Sequence, residues 1–244
     1  MIDTHAHLDA LDDPVQAIAR AREAGVDRII AIGSGLGSTR VTLAIAEHDE
    51  GISVAAGVHP HQAADGESIE DLAALVDGKV VAVGEIGLDF YRDYAPRDDQ
   101  RRVFVEQLGL AAGLDKPVII HTRAAEDETA ALLEDFDGTV VMHCFSSPGL
   151  LPVALERGYY VSFAGNVTYP KAVELRDAAT KIPVNRILAE TDCPYLAPQP
   201  VRGKRNEPAY VVHTIASLAE TRGEDQAELG RRIEENATAA FGLA

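Results

Sequence analysis

Six of the eight histidines in this 244-residue chain fall into a spaced pattern with two carboxylates. His5 and His7 stand two apart, as do His59 and His61, while Glu85, His121, His143 and Asp192 follow singly. Imidazole and carboxylate are the groups that hold divalent metals. In an extended chain, residues two apart point to the same side, so His5 and His7 can chelate one ion together. Alone, His-x-His is a weak pattern. An isolated histidine is ordinarily structural or exposed, and a single acid at a strand end is ordinarily a helix cap. His48 and His213 fall on expected helices and are read that way. The other residues argue jointly, because burying so many titratable groups without a metal is costly.

Their value depends on the elements that position them. Short apolar runs at 1–2, 27–32, 52–58, 79–84, 117–120, 139–142, 159–163 and 186–189 read as strands covered on both faces. Amphipathic stretches at 14–24, 39–48, 69–76, 97–114, 124–136, 150–157 and 171–181 read as helices, followed by two more at 208–222 and 224–239. Asp12 or Asp13 can cap the first helix, with Pro14 in its first turn and Gly25 ending it. Val103, Phe104, Leu108 and Ala111 form one buried stripe on the helix at 97–114. Strand–helix alternation of this count and length implies a TIM-type (β/α)8 barrel, expected as a single domain over 1–244. An open doubly wound sheet would carry a glycine-rich loop after its first strand, where this chain has His5-Ala6-His7.

On that map, every residue of the pattern lies at the carboxyl end of a strand, the functional face of such barrels. Four histidines and two carboxylates (His5, His7, Glu85, His121, His143 and Asp192) exceed one tetrahedral site. Two ions about 3.5–4 Å apart and sharing a carboxylate would use them, and Glu85, near the middle of the barrel, is the expected bridge. A carbamylated lysine bridge is not expected, since no lysine stands at the end of strand four or five. Strand alternation turns Cys144 away from His143, toward the helices.

With 46% hydrophobic and 25% charged residues, the composition is that of a folded domain. The net charge of -17 excludes a general nucleic-acid sponge, so an anionic substrate would need local cations such as bound metals. Arg202, Lys204 and Arg205 offer one such cluster after the last strand. Only 5% of residues are aromatic and none is tryptophan, which argues for a short substrate contact rather than an extended stacking platform. Two cysteines, no apolar leader and no membrane-length run suggest a cytoplasmic protein, expected to act as a monomer.

Seven ordered segments carry a family likeness: Asp3-Thr4-His5-Ala6-His7, Gly57-Val58-His59-Pro60-His61, Gly84-Glu85-Ile86-Gly87-Leu88-Asp89, His121-Thr122-Arg123, His143-Cys144-Phe145-Ser146, Glu190-Thr191-Asp192-Cys193-Pro194-Tyr195-Leu196 and Arg202-Gly203-Lys204-Arg205-Asn206-Glu207-Pro208. The chain resembles the TatD-type metal-dependent nucleases, within the amidohydrolase-like barrels. The resemblance implies that His5, His7 and Asp192 hold one metal, that His121 and His143 hold a second, and that Glu85 bridges. It implies substrate phosphate contacts from His59, His61, Arg123 and Arg205. The implied reaction is hydrolysis of phosphodiester bonds at the ends of single-stranded DNA or short oligonucleotides. Asp192 would orient the attacking water and take its proton, and His59 or Arg123 would assist the phosphate or leaving oxygen. Two divalent ions are implied, with magnesium, manganese and zinc all compatible with the ligand types. Other readings of the same site are a D-aminoacyl-tRNA deacylase, a small-molecule amidohydrolase or lactonase, and a non-catalytic metal-binding scaffold.

Overall fold

Branched aliphatic residues recur in runs that leave no polar face, as at Ile29, Ile30 and Ile32, all at most 1% exposed. Such segments form strands only where both faces are covered. The computed structural model describes residues 1–76, 78–92 and 94–243. Among them run β1 (Ile2–Ala6), β2 (Arg28–Ser34), β3 (Ile52–Gly57), β4 (Val80–Asp89), β5 (Val118–Arg123), β6 (Val140–Met142), β7 (Tyr160–Phe163) and β8 (Ile187–Ala189). They form one parallel sheet in sequence order. Its ends meet: Thr4 donates to the Ala189 carbonyl at 3.1 Å, Asp192 N–H to His5 at 3.0 Å, and His7 N–H to Cys193 at 2.9 Å. The expected (β/α)8 barrel is therefore the fold.

The outer layer is α1 (Pro14–Glu23), α2 (Leu36–Ala46), α3 (Ile69–Ala73), α4 (Arg97–Gly113), α5 (Glu126–Leu132), α6 (Leu151–Arg157), α7 (Val173–Lys181), α8 (Val211–Arg222) and α9 (Gln226–Phe241). The Asp13 side chain caps α1 by accepting Gln16 N–H. Helix α4 buries the expected stripe and adds two buried glutamines. Gln107 accepts Val58 N–H at 2.7 Å and donates to its carbonyl at 3.0 Å. Gln100 does the same at Asp89, at 2.8 and 3.1 Å. The helix thus satisfies the backbone where β3 and β4 stop pairing, just below the histidines.

Several boundaries differ from expectation for identifiable reasons. β4 and β5 extend past 84 and 120 to Asp89 and Arg123, so Glu85 and His121 lie within strands rather than after them. Their backbones pair in register, Gly87 with His121 and Asp89 with Arg123, whatever their side chains. Helix α2 begins at Leu36 instead of 39, because the Glu67 carboxylate accepts Leu36 N–H from across the loop. The helix expected over 124–136 is confined to α5. Ala124 has a φ of 53°, and Arg157 of α6 takes the carbonyls of Glu134 and Phe136. The expected end of the third helix, at 76, retreats to Ala73; residue 77 lies outside the described residues. No described helix is long and apolar enough to cross a membrane.

Candidate metal centre

The barrel brings five imidazoles onto one carboxylate. His5 and His7 reach Glu85 Oε2 from β1 at 3.4 and 3.7 Å. On Oε1 converge His59 at 3.4 Å, His121 at 2.6 Å and His143 at 2.9 Å. Asp192, in the loop after β8, places Oδ1 3.5 Å from His7 and 3.9 Å from His5. The rings of His5 and His143 stack at 3.9 Å. Glycine permits this convergence at Gly87, whose φ is 136° and whose absent Cβ would overlap the His121 carbonyl oxygen.

Among the described residues, three groups each bring their donor atoms within 4.8 Å of one another: His5–His7–Glu85, His59–Glu85–His121 and His5–His143–Asp192. The first two share Glu85. His143 also lies within reach of His5 and Asp192, and His59 within reach of His121 and Glu85. The residues fit a divalent cation on direct grounds. His5 is fully buried, yet its Nδ1 has no hydrogen-bond partner among the described residues, and its Nε2 approaches Glu85 without bonding geometry. His121 Nε2 is likewise buried without one. Unpaired buried imidazole nitrogens are costly unless something accepts them, and a cation does.

The electrostatics of the metal-free cluster follow from the same packing. Burial pushes the Glu85 carboxyl up, but the imidazoles of His143 and His59 and the bonds from His121 outweigh it and hold it well below its usual value. Burial opposes charge on His143, yet Glu85 and Glu190 raise it well above the usual histidine range. His7 and His121 are raised against their burial by Asp192 and by Asp89 with Glu85 respectively. Burial drives His59 down to about 4 and also lowers His5, where the charge of His143 adds to it. Asp192 is held below its usual value, chiefly by His7 once burial is overcome, so it stays ionised.

The other expected contacts separate. His61 turns to Asp89, with Nε2 2.8 Å from Oδ2. Arg123 is exposed and lies over the Tyr91 ring, 3.9 Å from its centroid, with no ion pair among the described residues. Arg205 is tied to Asp12 at 2.9 Å and to the Ala10 carbonyl. Cys144 is half-buried with a φ of 45°, so strand alternation ends before it. The negative charges of Asp192, Glu190 and Glu85 add to burial in raising its thiol. Neither cysteine belongs to a donor group among the described residues.

Three acids without an expected role support the expected ligands. Glu190, 1% exposed, accepts from His143 Nδ1 at 3.0 Å and from Cys144 N–H at 2.8 Å. Asp89, also 1% exposed, lies 3.4 Å from His121 Nε2 while holding His61. Asp3 is fully buried and binds Thr191 through N–H at 2.9 Å and Oγ1 at 2.5 Å, which fixes the turn into Asp192. Period-two spacing was the signal for Asp89, since Glu85, Gly87 and Asp89 share one face.

A family model described as TatD related DNase matches residues 2–242. An uncharacterized metal-dependent hydrolase of Bacillus subtilis, YabD, is 37% identical over 99% of this chain and 98% of its own length. A protein of Klebsiella pneumoniae named 3'-5' ssDNA/RNA exonuclease TatD is 37% identical over 95% of this chain and 92% of its own. The crystal structure of YjjV, a TatD homologue of Escherichia coli K12, superposes with a TM-score of 0.93 at 34% identity, covering 100% of this chain and 98% of that one. With the motifs, the barrel and the donor cluster in agreement, the chain belongs to the TatD-related family of metal-dependent hydrolases.

Proposed function

We propose that this hydrolase is an exodeoxyribonuclease that removes nucleotides from the ends of single-stranded DNA, using two divalent ions that share Glu85. The carrying observation is the pair of donor groups, His5–His7–Glu85 and His59–Glu85–His121, meeting on one buried carboxylate. Ions held there supply Lewis acidity, which acidifies water and neutralises charge on phosphate oxygens. Asp192, ionised and beside His5 and His7, orients the attacking water and accepts its proton. His59, kept neutral by burial, is suited to ligation. Arg123, exposed and without an acid partner among the described residues, is available to a substrate phosphate. The relatives named as 3'-5' ssDNA/RNA exonucleases support a single-stranded nucleic-acid substrate.

The test is nucleotide release from 3′-labelled and 5′-labelled single-stranded oligonucleotides, with EDTA or with added magnesium, manganese or zinc, for the natural protein and Glu85→Ala. Metal-dependent release that is lost in the variant is expected. About two bound ions per chain with no release under any condition would overturn the nuclease reading and direct the assay to aminoacyl-tRNA esters.

A further inference from the structure

The loop after β4 carries exposed side chains that the hydrolytic cluster does not use. Tyr91 and Tyr94 are each 63% exposed. Arg123 lies over the Tyr91 ring at 3.9 Å, and Arg92 lies 5.7 and 5.9 Å from the centroids of Tyr91 and Tyr94. Among the described residues neither guanidinium has a carboxylate at ion-pair distance. Two cations laid against two exposed rings, with no described carboxylate at ion-pair distance, form a surface complementary to an anion that carries an aromatic group.

The surface is fixed relative to the metal centre. Asp89 Oδ1 accepts the N–H groups of Tyr91 and Arg92, each at 2.9 Å, while its Oδ2 holds His61. Gln100 reaches the Ala95 carbonyl at 3.0 Å and anchors the far side of the loop. Rings then lead outward without a gap: His59 stands 4.3 Å from His61, and His61 4.8 Å from Tyr94, edge to face in both cases. His61, in ring contact with Tyr94, therefore links the Glu85 cluster to two exposed tyrosines and to two guanidinium groups that, among the described residues, have no carboxylate partner.

We propose that Tyr91 and Tyr94, backed by Arg92 and Arg123, form a stacking site for the base of the terminal nucleoside. The inference rests on the nuclease reading and deepens it. Every base offers a π-face, so the site accepts bases without reading sequence. It discriminates a nucleotide from a bare sugar phosphate.

The probe is the metal-loaded enzyme titrated with deoxyadenosine 5′-monophosphate and with deoxyribose 5-phosphate. Binding is read by calorimetry and by tyrosine emission, which no tryptophan obscures. The nucleotide is expected to bind roughly 5- to 150-fold more tightly than the sugar phosphate. That preference should disappear in Tyr91→Ala/Tyr94→Ala and persist in Tyr91→Phe/Tyr94→Phe. Equal binding of the two ligands by the natural protein, or a preference that survives the alanine variant, would overturn the proposal. Oligonucleotide hydrolysis measured alongside separates the two claims. Release without a base preference removes the stacking site and leaves the nuclease, whereas a preference without release removes the nuclease and leaves the site.

Discussion

Glu190 makes a prediction that can be worked from the coordinates. Its Oε1 accepts both His143 Nδ1–H, at 3.0 Å, and Cys144 N–H, at 2.8 Å, which directs His143 Nε2 to within 2.9 Å of Glu85. Its Oε2 is buried without a hydrogen-bond partner. In Glu190→Gln the amide oxygen can keep both bonds, but it no longer carries charge, and charge-assisted bonds are roughly twice as strong as neutral ones. The amide nitrogen takes the place of Oε2 and becomes a buried donor with nothing to accept it, at a cost of about 1–3 kcal/mol. Partners of ligand histidines typically set metal affinity by roughly 10- to 100-fold. Glu190→Gln is therefore expected to weaken metal binding by that factor in a chelator competition. The metal-free protein should also melt lower, by about 2–4 °C for each kcal/mol lost. A variant that binds metal as tightly as the natural protein would refute the claim that Glu190 orients His143.

Gly87→Ala would force a Cβ into the His121 carbonyl at a φ of 136°, and a loss of about 3 kcal/mol is expected in denaturant titration. A variant of undiminished stability would show that β5 can shift away at no cost. The pH dependence of stability should reverse with metal. His7, His121 and His143 have raised values in the metal-free fold, so the stability they contribute is present below about 6.5, their usual value, and is lost as pH rises through their folded values. Asp3, pushed up to about 8 by burial, acts in the same direction from 3.8 upward. Metal must displace the histidine protons, so its apparent affinity rises with pH. Melting temperature should thus fall with pH above about 6.5 in EDTA and rise with saturating metal; parallel slopes would contradict the assignment.

The barrel and the convergence of the six expected ligands were legible because apolar runs and the placement of histidines at strand ends are local patterns. What was not legible depends on partners far apart in sequence. Glu190 lies 47 residues from His143, and Asp3 lies 188 from Thr191, so only the closed barrel shows that one orients the other. The extension of β4 through Glu85 to Asp89 was hidden because polarity ends an apolar run while backbone pairing does not. The approach of His59 to Glu85 depended on ring orientation, which motif spacing does not encode. Arg205 matched a segment of the resemblance, and its ion pair with Asp12, far away in sequence, was not visible there. The few aromatics argued against a long stacking surface, and the structure instead gathers Tyr91 and Tyr94 beside the centre while Tyr195 stands 58% exposed near His7.

The central claim is that Glu85 is shared between two metal ions. Crystals of the protein loaded with manganese or zinc, measured at the absorption edge, locate each ion directly. The expected result is two anomalous peaks about 3.5–4 Å apart, both bonded to the Glu85 carboxylate, with His5 and His7 on one and His59 or His121 on the other. A single peak, or two peaks of which one does not touch Glu85, would contradict it.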